Sequence, residues 1–155
     1  MMRFIQHRKA FTLLELLIVI ALIAVIAAMA VALWVPNRRA ANETSAINSM
    51  RLIDSAEANY RLRHNLYGDL PSLLGDGFIP PAIAGEGKSG YIFLVQGMGS
   101  TVYVATASPT SANSGSRFFY TDEVGVIFQS APTIAAPPTT DYSGQTPPGF
   151  GPIGN

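Results

Sequence analysis

The chain predicts an α+β fold: one long N-terminal helix packed on a small four-stranded antiparallel sheet, with a Pro/Gly-rich tail. Three patterns carry that reading. Residues 11–35 are apolar on every face, residues 37–65 repeat apolar side chains at helical spacing, and residues 91–129 fall into short runs separated by turn formers. Helix first and strands afterwards places the helix against one face of the sheet.

Residues 11–35 read FTLLELLIVIALIAVIAAMAVALWV, 25 residues interrupted only by Thr12 and Glu15. At about 1.5 Å per residue a helix of that length reaches about 37 Å, enough to cross a hydrocarbon core of about 30 Å. Apolar on all sides, it has to be surrounded by lipid or by other helices. Glu15 is the exception. An acid inside a membrane segment costs roughly 2.5–3.5 kcal/mol and usually has a partner. Alternatively it lies at headgroup level, one turn in, where its carboxylate favours a helix N-terminus.

Residues 1–10 contain Arg3, Arg8 and Lys9 and no acid. Such a flank stays in the cytoplasm and sends the rest of the chain across the membrane. A secretory signal peptide begins the same way, and Ala28-Met29-Ala30 offers it a small-x-small cleavage site. Against that reading, Glu15 interrupts the apolar region and the run continues to Val35.

The stretch Lys9-Ala10-Phe11-Thr12-Leu13-Leu14-Glu15, with the apolar residues after it, resembles the processing site of type IV pilins and type II secretion pseudopilins. The likeness covers residues 8–35. It joins a short basic leader, a small residue before Phe11, a Thr-Leu-Leu-Glu sequence and an unbroken apolar helix. It implies that a prepilin peptidase removes residues 1–10, cutting between Ala10 and Phe11 and methylating the new amine of Phe11. Ala10 stands where the family usually has glycine.

The same resemblance implies a structural subunit, not an enzyme. Such a subunit rests in the lipid of the bacterial inner membrane and, with assembly machinery there, joins copies of itself in an extracellular or cell-surface helical filament. A pseudopilin of a type II secretion system is the alternative. Phe11 and Glu15 are then the assembly residues. An incoming subunit's Phe11 ammonium is drawn to Glu15 of its neighbour, because neither charge is tolerable alone in an apolar interior. Pairing of Glu15 with its own amine, about one turn away, is the other option.

Beyond the apolar run, Pro36 is expected to interrupt or kink the helix, which persists to about Trp34, with any break beside Pro36. Residues 36–66 form an amphipathic half whose core face is Ala46, Met50, Ile53, Ala56 and Tyr60. Glu57 and Arg61 are placed for an i,i+4 ion pair. Tyr67-Gly68 ends the helix, with the glycine as a left-handed cap.

Residues 67–129 make the head. A loop over 68–90 carries a short helix from Pro71 to Leu74. Four strands follow at Tyr91–Gln96, Thr101–Ala107, Arg117–Thr121 and Gly125–Gln129, with Val102 and Val104 on a common face. Residues 130–155 hold 6 prolines and 4 glycines, so they are extended unless docked on the head or on a neighbouring subunit.

Composition excludes several functions. Formal net charge is zero, yet residues 67–155 carry Lys88 and Arg117 against Asp69, Asp76, Glu86, Asp122, Glu123 and Asp141. No basic patch offers a nucleic-acid footprint. Without cysteine there is no disulfide and no thiol chemistry. The two histidines are His7, in the leader, and His64, expected to be exposed near a helix end. Nothing in the head pairs a nucleophile with a base, which leaves a signal-anchored monomeric binding protein as the reading from another class. No cofactor is expected, save that Asp69 and Asp76 are candidate calcium ligands of the loop type pseudopilins often have.

Overall fold

The computed structural model of the chain describes residues 11–85, 87–97, 100–130 and 136–153, and the side chains of all of these except residues 30–33. The expected leader, residues 1–10 with Ala10, lies outside them. The chain divides into two compact units, Met1–Pro36 and Asn37–Asn155. Helix α1, Leu13–His64, contributes to both.

In the first unit the described side chains of α1 have no interior to enter. Leu13, Ile23 and Met29 are 81%, 59% and 68% exposed, and the residues between them behave alike. Of the segments Leu13–Met29 and Trp34–His64, neither alone is long and apolar enough to cross a membrane; as a bent pair they meet that requirement by length and composition only. The helix is not interrupted at Pro36, which lies inside α1. A proline removes one bond from the ladder, and Arg38, Arg39, Ala40 and Ala41, all strong helix formers, carry the helix onward.

In the second unit α1 buries the expected face. Ala46, Met50 and Ile53 are fully buried and Ala56 nearly so, with Tyr60 packed at the margin. The helix ends at His64, and the left-handed residue is Asn65 (φ 61°), not Gly68. Asparagine tolerates that conformation because its short polar side chain bonds locally. Gly68 is closely approached instead: a Cβ there would lie 3.2 Å from the Tyr60 ring.

Two short helices follow. α2, Leu70–Gly75, has Pro71 in its first turn and Asp69 as N-cap, accepting the Ser72 N–H at 2.9 Å. α3, Pro81–Ala84, was not expected; Pro81 opens it and Ile83 anchors it in the core.

The sheet is an antiparallel meander of five strands in sequence order: β1 Tyr91–Gln96, β2 Val104–Pro109, β3 Phe119–Asp122, β4 Phe128–Ser130 and β5 Phe150–Pro152. Tyr91, Phe93 and Val95 of β1 point inward and alternate with exposed Ile92 and Leu94. β2 begins later than expected, since Gln96 pairs with Val104. Val102 therefore falls in the connection and is exposed, while Val104 is buried.

The strand beyond the expected four comes from the Pro/Gly-rich tail. β5 lies at the sheet edge, where Pro152 withholds no ladder bond from an inner neighbour. Its Phe150 joins Val104, Tyr120 and Phe128 in a second core on the outer face, flanked by Phe118 and Tyr142. Tyr120 ties this layer together, its hydroxyl accepting from the Tyr142 N–H at 3.0 Å.

Phe150→Ala should lower the stability of the head by about 3 kcal/mol, the usual range for emptying a buried aromatic site, whereas Ile92→Ala on the exposed face should cost under about 0.5 kcal/mol. Urea denaturation of both variants checks the contrast.

Candidate functional site

Two sets of residues bear on function, one in each unit. In the first, Thr12 caps α1: its Oγ accepts the Glu15 N–H at 3.2 Å. Thr12 and Glu15 stand at the first and fourth positions of a capping box. Phe11 is 76% exposed and Glu15 is exposed in the first turn of α1. Among the described residues no donor reaches the Glu15 carboxylate. Ala10, the other side of the expected cut, lies outside the described residues.

In the second unit, two acids of α1 are withdrawn from water, Glu57 buried and Asp54 half-buried. Asp54 accepts a 2.7 Å hydrogen bond from the Tyr103 hydroxyl. Loss of water pushes its carboxyl up to about 6, against the lowering effect of that bond. Glu57 is fully buried, and Oε2 accepts the Gly68 N–H at 3.0 Å while Oε1 has no partner. Burial first, then the nearby Asp69 and Asp54 charges, push it up to about 7, against the effect of the Gly68 bond. The expected Glu57–Arg61 pair does not form. Arg61 instead donates to the Tyr67 hydroxyl at 2.8 Å and lies over its ring. Helical spacing alone missed this, because Glu57 adjoins Ala56 on the packed face.

The acids proposed for calcium are engaged separately. Asp69 caps α2, and the Ser72 hydroxyl and N–H hold its carboxyl below the usual range. Asp76 lies 2.7 Å from His64 Nε2 and 3.5 Å from Arg63 Nη1. His64 is exposed at the helix end, as expected, and stacks on Tyr60 with ring centroids 4.2 Å apart.

The described residues that do gather three carboxylates are Asp122, Glu123 and Asp141, with ligand atoms within 4.8 Å of one another. Asp122 accepts the Gly144 and Val124 N–H groups at 2.7 and 3.2 Å, and Asp141 accepts that of Ser143 at 2.7 Å. Burial raises the Glu123 carboxyl, and Asp141 and Asp122 add to that. An all-oxygen donor set suits calcium chemically. Adjacent acids at a hairpin turn were the visible signal; Asp141, in the tail, was not.

A capped, uncovered apolar helix leading into an α+β head defines a class of proteins built around an exposed N-terminal apolar helix. Residues 5–31 match the family described as "Prokaryotic N-terminal methylation motif". The chain is also 32% identical, over 95 residues, to the type II secretion system core protein G of Escherichia coli (strain K12). That alignment spans 59% of this chain and 66% of the relative's length. The chain belongs to the type IV pilin and type II secretion pseudopilin family.

The buried acids give the head a pH dependence of defined sign. Both have folded pKa values above their ordinary ones, so the folded state holds protons that the unfolded state releases. Stability is therefore greatest below about pH 4 to 5 as far as these two groups decide it, and falls as pH rises toward about 7. Chemical denaturation at pH 5 and pH 8 should show a loss on the order of 2 kcal/mol, reduced by about half in Glu57→Gln.

Proposed function

We propose that this chain is a structural subunit of a filament of the type IV pilus kind. One observation carries the reading: a methylation motif heads an apolar helix whose described side chains the protein itself leaves exposed. Such a helix is stable in lipid before assembly and among copies of itself afterwards. Residues 1–10 serve as the leader, residues 11–35 as the membrane and fibre-core segment, residues 36–66 as the helix half that carries the head, and residues 67–155 as the head with its docked tail.

The prepilin peptidase cuts between Ala10 and Phe11 and methylates the Phe11 amine. The freed ammonium of one subunit meets Glu15 of another and fixes their stagger. Inner-membrane machinery extracts the subunit into a filament at the cell surface. The relative in a type II secretion system favours a second reading, in which the same assembly is a pseudopilus serving secretion. A calcium ion, the ligand class the family resemblance implies, would be held by Asp122, Glu123 and Asp141, offsetting the burial of Glu123 and fastening the Asp141 loop to β3.

N-terminal mass spectrometry of the chain from cells should find methyl-Phe11; an intact Met1 supports an uncleaved anchor, and Val31 a plain signal peptide. Glu15→Ala and Glu15→Gln should insert in the membrane at normal levels yet yield almost no sheared filament, and normal filaments from Glu15→Ala would remove its role. Thermal melting should show the head stabilised by calcium over a chelator, with the gain lost in Asp141→Asn.

A further inference from the structure

Glu57 is fully buried. A carboxylate offers about four acceptor sites, and this one meets a single donor: the Gly68 N–H lies 3.0 Å from Oε2, while Oε1 has no partner. Among the described residues no cation reaches it. Arg61, one turn on, is turned to the Tyr67 hydroxyl. The titratable groups that face Glu57 are Asp54 on α1, Asp69 beside Gly68, and Tyr103 just ahead of β2. Two are acids, and the third has already given its hydroxyl to Asp54. A charge buried in such company is costly, and a neutral acid costs far less. The folded head therefore keeps Glu57 protonated, and loss of that proton has to bring water to the carboxyl.

The part that can yield is the cover. Residues 65–69, between the end of α1 at His64 and the start of α2 at Leu70, belong to neither helix nor strand. Besides the Gly68 bond to Glu57, this connection is tied through Tyr67, whose N–H donates to the Ser100 carbonyl at 3.0 Å. Asn65 and Leu66 are exposed. Ala58, Arg61, Leu62, Asn65 and Tyr67 line an open cavity of about 470 Å³, which leaves one side of the connection unpacked. On α1, by contrast, Ile53 and Ala56 hold the helix in the core beside Glu57. Segments with few buried contacts open locally well before the whole domain does. We propose that the α1–α2 connection is a proton-held latch, closed while Glu57 carries its proton and opening locally at Gly68 when the proton is lost. A head held outside the cytoplasm, as proposed above, meets the pH of its surroundings, and the latch couples that pH to the freedom of the connection.

The sign and the window follow from linkage. Closed, Glu57 keeps its proton up to about pH 7; open, it titrates at the ordinary 4.5. Between those values each pH unit favours opening about tenfold, and above about pH 7 both states are ionised and the gain stops. Amide hydrogen exchange of the full chain in detergent micelles, read residue by residue and corrected for the intrinsic rate at each pH, reports this directly. Protection at Gly68 should fall roughly a hundredfold from pH 5 to pH 7 and then level off, while the β1 and β2 amides stay better protected throughout. Glu57→Gln keeps an oxygen for the Gly68 N–H and cannot ionise, so its Gly68 profile should be flat. Asp69→Asn keeps the cap of α2 and removes a like charge, so its profile should level off at lower pH.

Exchange in the purified chain tests the latch whether or not a filament forms. A flat Gly68 profile in the natural chain overturns the switch, and so does an unchanged slope in Glu57→Gln. Protection at Gly68 equal to that of the sheet at every pH overturns local opening, because the head then opens as one. Should Glu57→Gln fail to fold, Asp69→Asn decides, and a plateau that stays at the same pH overturns the assignment to Glu57.

Discussion

Half of α1 has to find its burial outside the molecule. Between Leu13 and Met29 lie twelve large apolar side chains, each 42–81% exposed. At about 1.5–3 kcal/mol for fully burying such a side chain, leaving them in water forfeits on the order of 20 kcal/mol. A folded domain has about 5–15 kcal/mol of net stability in total. No interaction within the head can offset that deficit, so lipid or other helices must supply the surroundings. Every functional reading of this chain starts from that imbalance.

The head uses the same helix in the opposite way. Met50 and Ile53 disappear into the core against Phe93, Ala105 and Phe119, and burial of the helix face takes Glu57 and Asp54 with it. Glu57 survives there because Gly68 turns its N–H toward the carboxylate. The bare backbone of Gly68 also eases the fit beside the Tyr60 ring, 3.2 Å from where a Cβ would lie. A junction held by a half-satisfied acid is sensitive to pH where a purely apolar one would not be. On the far face of the sheet, the tail supplies the cover that α1 cannot, through Tyr142 and Phe150.

What the sequence made legible follows from periodicity. β1 was readable to the residue because its side chains alternate between core and solvent, and α1's core face because its apolar residues keep a helical period. Local rules failed where a distant partner decides the outcome. Gly68 had the look of a helix cap, but Asn65 reverses the chain first. Glu57 and Arg61 had the spacing of an ion pair, but the sheet buries one and Tyr67 captures the other. β5 was hidden in a proline-rich stretch because three residues at a sheet edge leave no alternating pattern to detect. The gathering of Asp141 with Asp122 and Glu123 depends on that docking and was equally invisible.

The charge at Glu15 can be weighed against its position. Thr12 already satisfies the Glu15 N–H, and a capping box accepts glutamine as readily as glutamate at its fourth place. Capping therefore explains the residue's shape and not its charge. The helix dipole rewards a carboxylate there by about 0.3–1 kcal/mol, well short of the roughly 2.5–3.5 kcal/mol that an acid costs inside a membrane segment. The difference, about 2 kcal/mol, has no compensation among the described residues. A cation brought from another molecule can supply it, and an ammonium at a processed Phe11 is a cation that every copy of the chain would carry. On the assembly proposed above, insertion of one subunit would leave the carboxylate short of a partner and assembly of two would provide it, so the energetic fault in the monomer would become the term that favours the filament.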